Sequence, residues 1–264
     1  MMKSLSVVVI TLNEEKRIAR LLSDLSCQTY QDFEVIVVDS NSDDLTCEVA
    51  SKYQASLPSL TVHQMSQRGV SLGRNTGAKL AKHERLLFLD ADVRLDKDFL
   101  QKAIDKLEQE KLEVAGVYMG SRNLAPAYKV GYGLFNAGLF ATQFFFPTAV
   151  GACIFSTKRV HQEIGGFDEE IVLCEDCHYV KKASRTWRFR FLPISFQFDP
   201  RRLEQDGFFK MGFTYLKANV RRFLFGEMRN NEMEYQLATT KNSKAETVAK
   251  NSKTETVRQK QRIR

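Results

Sequence analysis

The sequence predicts an α/β fold, a mostly parallel sheet with helices on both faces, and three observations predict it. Short apolar runs such as Leu5 to Thr11 (LSVVVIT) and Phe33 to Asp39 (FEVIVVD) are hydrophobic at consecutive positions, the pattern of strands buried on both sides. Segments with apolar residues at helical spacing separate these runs. Thr11, Asp39, and Asp90 with Asp92 stand at the carboxyl ends of predicted strands, outside which ligands bind in such sheets.

Each element follows from local chemistry. After the first strand, Asn13 is the expected helix cap, with Glu14 and Glu15 in the favourable first turn and Ile18, Leu21, Leu22 and Leu25 on one face. The second strand leads into the turn cluster Ser40-Asn41-Ser42-Asp43 and a helix to about Tyr53. Leu60 to Gln64 is a third strand, Ser71 to Ala81 a helix and Arg85 to Asp90 the fourth strand. Asp96 is expected to open a helix that reaches Gln109, and Val114 to Met119 forms a further strand. Val130 to Ser156 carries no charge and is long enough to suggest a membrane span. Pro147 and the residues Gly131, Gly133, Asn136 and Gly138 interrupt it, so a helix followed by a buried strand near Ala149 to Phe155 is the better reading.

With 264 residues and 43% hydrophobic content, the chain has enough material for one sizeable core. The first two hundred residues are close to charge neutrality, so the net +7 belongs to the C-terminal end. The expected organisation is a domain over residues 1–205, an amphipathic helical extension over 206–235 and a basic disordered tail over 236–264. The tail carries the near-repeat KNSKAETVA and KNSKTETVR. Met1 to Ser6 lead straight into strand-like sequence, without the apolar core of a signal peptide, so a cytoplasmic location is expected. Five scattered cysteines fit reduced thiols better than a disulfide framework.

The stretch Leu86 to Asp92 (LLFLDAD) carries the sharpest chemical signal. A buried strand ends in two carboxylates one residue apart, and their mutual repulsion calls for a cation. A divalent metal with a phosphate-bearing ligand meets that need. Cys174 to His178 match the Cys-x-x-Cys-His pattern of haem attachment, but no export signal accompanies it, and the pair lacks the usual setting of a redox dithiol. His63, His83 and His161 show no metal-ligand spacing and read as ordinary surface or core residues.

Five motifs follow one another over about residues 4–205: SVVVITLNEE, EVIVVDSNSDD, RNTGA at Arg74 to Ala78, FLDAD, and GACIFSTKRVHQEIGGFDEEIVLCEDCHYVKKA. In that order they resemble the family 2 glycosyltransferases of GT-A fold. The resemblance implies an inverting transfer of one sugar from a nucleoside diphosphate sugar, with a UDP-sugar the expected donor, to an acceptor hydroxyl in glycan or cell-envelope biosynthesis. It implies a nucleobase contact at Asp39 with Thr11 and Glu14 nearby, although Asp39 also suits capping its own turn. Arg74, in a helix and with directed donors for phosphate, reads either as reaching a diphosphate or ribose or as part of a solvated helix face; the resemblance implies Asp90 for ribose and Asp92 for a Mn²⁺ or Mg²⁺ cofactor. The Glu175-Asp176 motif implies substrate binding by Glu175 and a catalytic base in Asp176; helix N-terminal acids would also account for both.

Where processive members carry Gln-x-x-Arg-Trp, this chain has Asp199-Pro200-Arg201-Arg202-Leu203, which argues for single-sugar transfer and leaves Arg201 or Arg202 near the diphosphate. Gly207 to Gly226 sets Phe209, Phe213, Leu216, Val220 and Phe223 on one helical stripe with basic residues elsewhere. That stripe reads either as a helix in an anionic membrane interface, meeting a lipid-linked acceptor on the cytoplasmic face, or as a helix packed on the body. Two rivals are weaker. A nucleotidyltransferase would place a Gly-rich phosphate loop after the first strand, and none is present; the other rival is a non-catalytic membrane- or nucleic-acid-binding protein with a transferase-like body and a basic end, but no aromatic and basic RNA-binding motif is visible and no nucleic-acid partner is expected.

Overall fold

The computed structural model describes residues 4–122, 124–171 and 173–198, with 217, 221 and 222. The chain divides into compact units at 1–230 and 231–264, and every described residue lies in the first. In chain order the strands are β1 (Leu5–Thr11), β2 (Phe33–Asp39), β3 (Leu60–Gln64), β4 (Arg85–Asp90), β5 (Val93–Arg94), β6 (Val114–Met119), β7 (Cys153–Thr157) and β8 (Phe189–Phe198). They lie side by side as β3-β2-β1-β4-β7-β6-β8-β5. The β3-β2-β1-β4 half is parallel, whereas β7 runs antiparallel to β4 and β6, and β8 is parallel to β6.

The consecutive apolar positions divide between two faces. Val7, Val9, Val35, Val37, Leu87 and Leu89 point into one core, while Val8, Ile36, Val38, Leu86 and Phe88 point into the other. Helices α1 (Ile18–Ser26), α2 (Thr46–Ser51), α3 (Val70–Leu80), α4 (Phe99–Glu110), α5 (Pro126–Thr142), α6 (Lys158–Glu163) and α7 (Glu175–Ala183) complete the fold. The first face takes α1, α2 and α4; the second takes α3, α6 and α7. On α1 the four expected apolar residues are fully buried, each worth roughly 1.5–3 kcal/mol relative to exposure.

Register fixes where chemistry gathers. Thr11 pairs with Asp39 and Ile10 with Asp90, so the ends of β1, β2 and β4 meet at one sheet edge. Because β7 is antiparallel to both β4 and β6, β6 also ends at that edge, and α5 leaves from it and returns to it.

Several boundaries move for identifiable reasons. Asn13 does not cap α1; it adopts a left-handed conformation (φ 56°) and accepts a hydrogen bond from the Asp43 amide, tying two loops together. The helix α4 begins at Phe99, and the Asp96 carboxylate, outside it, is held by Arg122 at 2.6 and 2.9 Å. The helical part of α2 stops at Ser51, and the buried strand after α5 starts at Cys153. Strands β5 and β8 have no counterpart in the sequence reading. In β8 the pairing with β6 jumps from Leu192 to Ser195, and Pro193 sits in the irregularity, which breaks the periodic signal. All five cysteines are free thiols. The amphipathic segment, Arg201, Arg202 and the repeat-bearing tail lie outside the described residues, apart from Lys217, Arg221 and Arg222, which are helical.

Candidate active site

Arg74 is the centre of the acidic edge. Its guanidinium is buried at 2% exposure, donates from Nη1 to Glu175 Oε1 at 2.7 Å, and from Nη2 to Asp90 Oδ1 and the Gly151 carbonyl at 3.1 Å each. The Phe167 ring backs it, 5.1 Å from Cζ. One cation from α3 thus joins the end of β4, the start of α7 and the loop before β7. Arg74 is turned inward onto these acids, with both terminal guanidinium nitrogens engaged by protein oxygens. Asn75 beside it holds the turn before α7, accepting from the Phe167 amide at 2.9 Å and donating to its carbonyl at 3.0 Å.

Asp176 lies across from this pair and accepts from the Cys177 amide at 2.7 Å. A Cβ on Gly151 would stand 2.9 Å from Asp176 Oδ2 and 3.1 Å from Arg74 Nη2, so the close approach of the β7 loop requires glycine. Burial raises the pKa of Asp176 above the ordinary aspartate value, against the opposing charge of Arg74. Glu175 is raised too, again chiefly by burial and against Arg74. Arg222, which the sequence reading did not single out, is 1% exposed, stands over Phe146 at 5.5 Å and adds positive potential at Asp176. Forty-six positions of chain separate it from Asp176, and no local pattern announces it.

The β1 and β2 ends form a second, tightly bonded part. Asp39 is fully buried; it accepts from Thr11 Oγ1 at 2.9 Å, from the Ser42 amide at 2.8 Å and from Ser42 Oγ at 2.5 Å. The turn-capping use of Asp39 is therefore realised, and a carboxylate with three bonds keeps limited acceptor capacity for a ligand. Glu14 forms an ion pair with Arg17, and its amide donates to Thr46 Oγ1 at 2.8 Å.

Asp90 keeps 23% of its side chain exposed beside Arg74, and Asp92 is 8% exposed in the following turn. Their hard oxygens suit Mn²⁺ or Mg²⁺. Among the described residues no group of three or more His, Cys, Asp or Glu side chains makes a metal cage. That donor set fits an ion bound by one or two carboxylates with phosphates completing its shell. The Cys-x-x-Cys-His match has a structural use: Cys177 Sγ exchanges hydrogen bonds with the amide and carbonyl of Ala149, both at 3.5 Å. His161 is a core residue whose pKa falls to about 4 through burial.

A sheet of this order, parallel up to β4, then mixed, with a carboxylate pair ending β4 and an acidic pair opening a later helix, defines the GT-A class of fold. The chain belongs to glycosyl transferase family 2, whose family model matches residues 6–165. It is 35% identical to poly(ribitol-phosphate) beta-N-acetylglucosaminyltransferase TarS of Staphylococcus aureus over 126 residues, 46% of this chain and 22% of that protein. The uncharacterized glycosyltransferase YfnE of Bacillus subtilis is 33% identical over 115 residues, 43% of this chain and 29% of its own length. The chain therefore spans less than a third of these two relatives. In three dimensions it resembles S. aureus TarS 1–349 in complex with UDP-GlcNAc, with TM-score 0.60 and 24% identity over 74% of this chain and 58% of that one. The mannosyltransferase PcManGT of Pyrobaculum calidifontis, in complex with GDP-Man and Mn²⁺, gives TM-score 0.63 and 23% identity over 73% and 56%.

Proposed function

We propose that the protein transfers a single hexose-type sugar from a nucleoside diphosphate sugar, a UDP-sugar in the first instance, to an acceptor hydroxyl, inverting the anomeric carbon. The observation that carries this reading is the meeting of Asp90, Glu175 and Asp176 around buried Arg74, with Asp92 two residues on. Similarity to structures holding UDP-GlcNAc and GDP-Man supports the donor class.

Asp176 is the base in this mechanism. Its raised pKa brings its proton affinity closer to that of an acceptor hydroxyl during attack, while Arg74 keeps the anionic form populated. The acceptor oxygen loses its proton to the Asp176 carboxylate and bonds to the anomeric carbon. The carbon–oxygen bond to the diphosphate breaks, and the nucleoside diphosphate leaves with the bonding electrons. Glu175 and Arg74 fix Asp176 against the β7 loop, and Asp90 faces the ribose. Thr11, Glu14 and Asp39 shape the nucleoside end, Asp39 by tying the β1 and β2 loops that frame it. Asp92, aided by Asp90, would hold a Mn²⁺ or Mg²⁺, which when bound supplies Lewis-acid stabilisation of the departing diphosphate.

The test is turnover of a panel of nucleotide sugars with Mn²⁺, read as nucleoside diphosphate release. We expect Asp176→Asn to lose about 10²–10⁴-fold in rate, the range of a general base, and Asp92→Ala to lose turnover while both variants melt like the parent. Full turnover in either variant refutes the role assigned to that residue.

A further inference from the structure

The α5 excursion exposes an apolar face that the transferase chemistry does not use. Val130 is 65% exposed, Leu134 71%, Phe140 56%, Phe144 59% and Phe145 72%. A Cβ added to Gly133 or Gly138 would meet nothing within 4 Å among the described residues. The platform is nonetheless firmly moored. The Asn136 side chain exchanges hydrogen bonds with both backbone groups of Met119, at 2.8 and 3.1 Å, and Gln143 Oε1 accepts from the Phe191 amide at 3.0 Å. Apolar side chains held out on a rigid mount mark an interaction surface.

Charge beside this face identifies its partner. Residues 177–198 contain no acid and carry Lys181, Lys182, Arg185, Arg188 and Arg190, of which Arg188 is paired with Glu110 at 2.9 Å. Arg190 lies over the Phe144 ring at 4.7 Å and Lys181 over Phe146 at 5.4 Å, so cations sit directly against the aromatic tip. A cleft of about 240 Å³ joins Phe144 and Phe145 to Trp187, Arg188 and Arg190. Projecting aromatics with flanking cations complement an anionic bilayer: the rings enter the acyl boundary while the cations meet phosphates. A symmetric second copy would instead set this basic run against itself. Among the described residues no helix is long and apolar enough to cross a membrane, so the contact is one that lies on the surface.

The position relative to the site gives the contact a purpose. Three residues after Phe146, Ala149 is bonded to Cys177, and the Gly151 carbonyl accepts from Arg74, so the exposed tip continues directly into the wall beside Asp176. We propose that the outer face of α5 with Phe144 and Phe145, together with the Lys181–Arg190 basic run, docks on an anionic lipid bilayer and delivers a membrane-borne acceptor hydroxyl to Asp176. The acceptor half of this inference rests on the transferase reading; the docking half does not.

The experiment is flotation of the full chain with phosphatidylcholine vesicles made with and without phosphatidylglycerol, following Trp187, the single tryptophan, by its fluorescence. Binding only to the anionic vesicles, with a blue shift of Trp187, is expected. Phe144→Ser with Phe145→Ser should weaken it about tenfold, and Lys182→Glu with Arg185→Glu should remove the preference for anionic lipid. Melting temperature and UDP binding should match the parent in both variants. Equal flotation of the Phe144/Phe145 variant overturns the proposal, as does a parent dimer in solution that these substitutions dissociate. UDP binding without flotation refutes the docking alone, whereas flotation without UDP binding refutes the transferase reading alone.

Discussion

Arg74 is worth more to the site than any other single side chain, because three elements converge on its charge. Replacing it with methionine leaves Asp90 and Glu175 without their buried counter-ion. We expect a loss of about 3–5 kcal/mol in stability by denaturant unfolding, the usual consequence of breaking one side of a buried pair. The same residue sets the pH response. Burial raises Asp176, so its basic, deprotonated form is lost as pH falls through a value above that of an ordinary aspartate, and the acid limb of kcat/KM should lie there. Since Arg74 is the leading influence opposing that rise, Arg74→Met should move the limb of the residual activity further towards neutrality. An unmoved limb in that variant would separate Arg74 from the titration of the base. Asp39 teaches a different lesson at this scale: its hydrogen bonds hold the β1 and β2 loops together, so the nucleoside binding we propose for it and local folding would draw on one carboxylate.

At the scale of elements, the site depends on how closely α3 and the β7 loop approach the sheet. Gly77 lies on α3 over β1, where a Cβ would stand 2.1 Å from Val8 Cγ1, the side chain of a fully packed strand. Gly77→Ala should therefore cost about 1–3 kcal/mol by thermal or chemical unfolding and push Arg74 away from its acids, lowering turnover even in the folded fraction. Unchanged stability would show that α3 can shift without disturbing the sheet. The elements most readable in the sequence were β1, β2, β3, β4 and β6, whose apolar runs end where strands end. Strand β8 escaped because its residues alternate incompletely and include Pro193, and it is specified by pairing with β6, 75 to 77 positions away.

For the whole molecule, the acidic edge is assembled from parts of the chain far apart, and a donor that bridges them, as we propose, should stabilise the fold. UDP with Mn²⁺ at about a hundred times its dissociation constant should add about 2.7 kcal/mol, read as a rise in Tm that Asp92→Ala reduces. No rise under any nucleotide would remove the donor site from this edge. Strand runs, helix faces and the placement of Thr11, Asp39, Asp90 and Asp92 at strand ends were determined by the sequence alone, since periodicity and apolar runs are local properties of the chain. Only the tertiary structure decided that Arg74 turns inward to Asp90 and Glu175, that Gly151 admits Asp176, and that buried Arg222 lends its charge to the base. It also decided that α5 holds its phenylalanines out from the edge where sugar transfer is placed. These are contacts between segments tens of residues apart, and their geometry follows from the order and direction of the strands, which no local pattern encodes.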